Sequence, residues 1–228
     1  MSTTNTTSTP NRDLDQILDE ANVQSFMSKN KTAILAVIVL LIGAVVGFGF
    51  YMNYADKSKA EYNSDIHLYE STVLKDFSAK ATDATLAKKV EVDLSALHSK
   101  VGDYIGLLPI VLKASDLLAA GGFFLEAKNV IAIGEEIASE DYAQYFVLSR
   151  KATILEDLKE DNKAIETLEK LTSLSTKIFE GKTYLDLGRL YLKAGDKEKA
   201  KKNFTYVVEK AKDEAEFVKI AQLYLSKM

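Results

Sequence analysis

The sequence predicts an all-α protein, with an N-terminal single transmembrane helix followed by a stack of helical hairpins, and three observations predict it. Residues Ala33 to Met52 form a run without one charged side chain. Beyond that run, apolar residues recur at the three- and four-residue steps of an amphipathic helix. From Leu107 onward the chain repeats itself, with Ala127, Ala164 and Ala200 standing 37 and 36 residues apart in similar surroundings. The expected organisation is a cytoplasmic tail over 1–31, a span over 32–54, an outward juxtamembrane helix with a packing helix over 55–106, and repeats with a capping helix over 107–228.

The span follows from length and flanks. A helix rises about 1.5 Å per residue, so about 20 residues cross the roughly 30 Å hydrocarbon core of a bilayer. Lys29 and Lys31 precede the run, Asp56, Lys57 and Lys59 follow it, and Tyr51 and Tyr54 fall where an interfacial aromatic belt lies. A cleaved signal peptide has a shorter apolar region and a small-residue cleavage site, and a soluble core helix has an amphipathic stripe. Neither pattern is present. Orientation is nearly tied, because Arg12, Lys29 and Lys31 on one side face Lys57 and Lys59 on the other, a slight lean towards a cytoplasmic N-terminus. Gly43 and Gly47 form a GxxxG pair that either lets a second helix approach closely or reflects the general abundance of glycine in membrane helices.

Ahead of the span, Met1 to Asn11 is a Ser/Thr/Asn run that cannot bury enough apolar surface to order itself. Leu14, Ile17, Leu18 and Ala21 then take helical spacing among Asp13, Asp15, Asp19 and Glu20, an acidic amphipathic helix that is either idle or a docking helix. Its acidity argues against lipid binding. After the span, Tyr62, Ile66, Tyr69, Val73 and Phe77 make one helical stripe, with His67 beside it at the surface or rim, and Lys80 to Lys89 read as a loop and the start of the next helix.

Composition excludes several functions. The chain carries 33 acidic and 29 basic residues, a formal net charge of -4, and a pI near 5.4, so the basic field that nucleic acid requires is missing. There is no Cys, and the two His are far apart in sequence. An enzyme would need a nucleophile beside a base, a metal cluster or a Gly-rich phosphate cradle, and no such motif is assembled. No catalytic residue, metal ligand or cofactor is expected.

In the repeats, Gly122 and Gly195 stand five residues before Ala127 and Ala200, and Lys159 takes that place before Ala164. Glycine suits a left-handed turn that ends a first helix, and alanine lets the second helix pack closely. Tyr184, Leu187, Gly188, Tyr191, Ala200 and Phe204 stand at the offsets of the tetratricopeptide repeat, which this stretch resembles, with Val207 and Lys212 departing from the pattern. The middle copy keeps Ala152, Leu155, Ala164, Leu168 and Leu171; the first keeps Leu118, Ala127 and Ile131, with Pro109 near its start. Phe217, Ile220, Ala221, Tyr224 and Met228 give the expected inward stripe of the cap.

From about Ser25 to the C-terminus, a FMSKNK start, a Gly-rich span, a long outward helix and a small degenerate repeat domain resemble the YfgM-type ancillary subunits of the bacterial SecYEG translocon. That resemblance implies an inner-membrane protein with periplasmic repeats, working beside the translocon with a membrane-anchored isomerase of the PpiD type and unfolded or nascent clients. An anchored scaffold of another envelope complex is the alternative.

Repeats of this kind bind partners on the face made by their first helices. There, Lys182, Arg189 and Lys193 are either a solvated helix face or donors for an acidic partner. Phe146 stands with Tyr142, Tyr145, Phe123 and Phe124, rings that either fill the core between repeats or line the mouth of an apolar groove.

Overall fold

A π-helical turn interrupts the first described helix and shifts which residues it buries. The computed structural model describes Ala44 and residues 58–228. The tail, the span apart from Ala44, Gly43, Gly47, Tyr51 and Tyr54 lie outside the described residues, and none of the described helices is long and apolar enough to cross a membrane.

Helix α1 is α-helical over 58–69, passes through a π-helical turn at Glu70–Leu74 and ends as α-helix at Lys75–Ala79. Thr72 Oγ1 and Ser71 Oγ both donate to the Leu68 carbonyl, at 2.6 and 3.2 Å, competing for the acceptor that an α-helix assigns to the Thr72 N–H. The wider turn accommodates one more residue. Ile66, Tyr69 and Phe77 are buried as their spacing predicts, but Leu74 takes the core position expected of Val73, which packs at the rim. The Tyr69 hydroxyl donates to the Val90 carbonyl at 2.8 Å, and burial pushes its pKa up, so it stays a donor. That bond ties α1 to α2, Ala84–Val101. Asp83 caps α2 by accepting from the N–H groups of Thr85 and Leu86 at 2.8 and 3.1 Å.

Three hairpins follow: α3 Leu108–Ala120 with α4 Phe124–Ile137, α5 Asp141–Asp157 with α6 Asp161–Ser173, and α7 Glu180–Lys193 with α8 Lys197–Lys210. Pro109 lies in the first turn of α3, where its missing N–H costs nothing. Each hairpin turns in the same way. Gly122, Lys159 and Gly195 have φ of 85°, 62° and 84°, and the N–H groups of Phe123, Glu160 and Asp196 reach back five residues to the carbonyls of Leu118, Leu155 and Tyr191, at 2.9 Å in each case. Lys159 therefore adopts the left-handed conformation that its alignment with the two glycines predicts. Ala127, Ala164 and Ala200 are wholly buried at the close approach of each second helix.

One apolar cluster runs from α1 into α5, and a second joins α5 to the final helix α9, Ala215–Ser226. Gly188 permits a close contact in the second cluster, since a Cβ there would stand 2.5 Å from the Phe204 ring. Val207, a departure from the repeat pattern, is accommodated within this core. The cap corrects the expected stripe. Ala221 is buried with Phe217, Val218, Tyr224 and Leu225 against the core, whereas Ile220 and Met228 are exposed beside Leu223. Tyr224 stacks on Phe204 at 4.7 Å, and Ile220 faces outward.

Candidate partner-binding groove

Helices α3, α5 and α7 are the first helices of the three hairpins, and α7 rests chiefly on α6, α8 and α9. Between α5 and α7 lies a groove of about 610 Å³, with Asp116 and Ala119 of α3 at one side. Its apolar lining comes from Tyr145, Phe146 and Ala152 of α5, Leu168 and Leu171 of α6, and Leu190 of α7. That volume lies within the range of clefts that take ligands.

The charged groups of the groove are paired with one another. Arg189 donates to both carboxylate oxygens of Glu156, with Nη2 2.7 Å from Oε2, so a fork of hydrogen bonds bridges α7 to α5. This hydrogen-bonded pairing holds the Glu156 carboxyl below the usual range and pushes the Arg189 guanidinium further up. Asp186 receives Lys182 Nζ at 2.6 Å, and Asp116 receives Arg150 Nε at 2.9 and 3.0 Å. Lys193 pairs with Asp161 at 2.7 Å and is not part of the groove lining. The three cations singled out in the sequence thus lie on one helix, two of them line the groove, and each already holds a carboxylate.

The five aromatics named with them do not gather in one place. Tyr145 and Phe146 line the groove, and Phe146 meets the edges of Tyr142 and Tyr145 with ring centroids 5.0 and 5.4 Å apart. Phe123 packs instead on Phe77 at 5.9 Å within the N-terminal cluster, and Phe124 opens α4 outside the groove lining. The length of α4, Phe124–Ile137, stands between the two groups.

Phe179 escaped the sequence reading. It precedes α7, lines the groove, has φ of 44° and leaves 58 % of its surface exposed. The Thr183 N–H and hydroxyl both donate to its carbonyl, at 3.2 and 3.3 Å, so it anchors the first turn of α7. A left-handed backbone costs a bulky residue about 1–3 kcal/mol, and phenylalanine gives no local signal for it. Glycine or asparagine would have marked the turn.

Elsewhere, His67 is exposed, and His98 Nε2 on α2 stands 3.7 Å from Asp103 and 3.9 Å from Glu136. Among the described residues no group of three or more His, Cys, Asp or Glu is placed to hold a metal ion.

The tetratricopeptide repeat family model matches residues 147–177 and 181–209, which cover most of α5 with α6 and of α7 with α8. No curated protein and no solved structure matches the chain.

Proposed function

We propose that this chain, whose tetratricopeptide repeats mark a protein–protein interaction module, is a non-catalytic holder of partner or client polypeptides at a membrane. The observation that carries the reading is the groove between the first helices of the matched hairpins, with Phe146, Lys182 and Arg189 along it. A cleft whose walls, α5 and α7, share one apolar cluster is suited to grip a segment without reorganising.

The charge-free run within 32–54 serves in this reading as the anchor, with the N-terminus cytoplasmic and the repeats periplasmic at the bacterial inner membrane. The resemblance to YfgM-type subunits supports a place beside the SecYEG translocon, linking emerging clients to a membrane-anchored isomerase of the PpiD type. Crosslinking of the full-length protein in its native membrane, followed by mass spectrometry, tests this. Translocon subunits together with such an isomerase are the expected products. Recovery of a different envelope complex without any translocon component would overturn the translocon assignment and leave an anchored scaffold. Loss of function from one substituted carboxylate, with partner capture intact, would overturn the non-catalytic reading.

A further inference from the structure

We propose that the occupant of the groove is a neutral, apolar, extended polypeptide segment anchored on the rings of Phe146 and Phe179. This rests on the partner-binding reading above and names the partner's chemistry.

Charge comes first. The groove is lined by three cations, Arg150, Lys182 and Arg189, and three anions, Asp116, Glu156 and Asp186, and every one of the six is engaged within the protein. An acidic ligand meets three cations whose charge is already balanced by carboxylates, and it gains a contact only in competition with Glu156, Asp186 and Asp116. A basic ligand meets the mirror-image competition. A neutral segment leaves all three pairs in place.

Phe179 supplies the second, independent observation. A large ring is held out to solvent by a backbone conformation that a side chain disfavours, at a position where glycine would serve the turn with less strain. Its burial is incomplete in the free protein, and a partner's apolar side chain is what would cover it. Such a rigid aromatic with few rotatable bonds makes an efficient binding anchor. Ser149 and Thr153 of α5 line the same groove, and each hydroxyl, although donating to a carbonyl of its own helix, keeps lone pairs that can accept N–H groups of an extended backbone.

The test uses the full-length protein in detergent, fluorescence anisotropy, and three labelled end-capped peptides, with protein-free micelles as the blank. In one, leucine and phenylalanine alternate with serine; in the second, glutamate replaces the serines; in the third, serine replaces the apolar residues. Only the first should bind. Phe179→Gly should weaken it about tenfold or more, as expected for an aromatic anchor, without lowering the melting temperature, because glycine relaxes the backbone. Phe179→Leu should retain most of the affinity. Unchanged binding to Phe179→Gly would overturn the anchor. Tighter binding of the glutamate peptide, abolished in Arg189→Gln, would overturn the neutral occupant while leaving a partner-binding groove. Binding of none of the three would overturn this proposal alone, since the membrane crosslinks read the partner-binding function separately.

Discussion

Replacing Gly188 with alanine should destabilise the second apolar cluster even though alanine is the better helix former. The added Cβ would stand 2.5, 2.6 and 2.9 Å from three carbons of the Phe204 ring, whereas carbon atoms rest about 3.5–4.0 Å apart. Either the ring or α7 must move by about 1 Å to restore that contact distance. Phe204 is wholly buried and stacked nearly parallel on Tyr224, so it has no empty space to enter. Overpacking of this kind costs about 1–3 kcal/mol, against a gain of about 1 kcal/mol in helix propensity. The net loss is about 1 kcal/mol, and a domain of this size loses about 2–4 °C in Tm for each such unit. Thermal and urea unfolding followed by circular dichroism would measure it. A cycle with Phe204→Leu isolates the contact, because without the ring the alanine should show its propensity gain. The coupling between the two positions should be about 1–3 kcal/mol. A coupling near zero, or a Gly188→Ala protein more stable than its parent, would refute the reasoning.

Lys159→Gly should stabilise the protein by about 0.5–1 kcal/mol, the left-handed penalty less the extra freedom of glycine in the unfolded chain; a lowered urea midpoint would contradict this. Asp83→Ala removes the two hydrogen bonds that start α2 and should cost about 1 kcal/mol by the same assay. Arg189→Gln removes the partner that holds the Glu156 carboxyl below its usual range. A depressed carboxyl pKa contributes stability above the unfolded value of about 4.3 and loses it as pH falls through the folded value. The parent should therefore be the more stable near neutral pH, and the two unfolding curves should converge under acid; a gap independent of pH would show that the pair acts through packing instead.

Several features were legible because the physics that decides them is local. A left-handed turn followed five residues later by a small residue specifies each hairpin, and the third instance was readable through Lys159 only because two glycines marked the same place in the other copies. Pro109 likewise acts within one turn of chain. At the π-helical turn over Glu70–Leu74 the period changes, and a count of apolar spacing placed Val73 where Leu74 lies.

Within the described residues, the sequence by itself determined the helices of the repeats, their pairing and the small residues that make close packing possible, since these follow from backbone preference and apolar period. The groove, the engagement of its charges, the separation of Phe123 from Phe146 and the outward turn of Ile220 were decided only by tertiary structure. Arg189 meets Glu156 across 33 residues of chain, and no local rule relates those positions. Phe179 was settled the same way. It lines a groove with residues of α3, α5, α6 and α7, and that grouping is a property of the packed helices rather than of any single stretch.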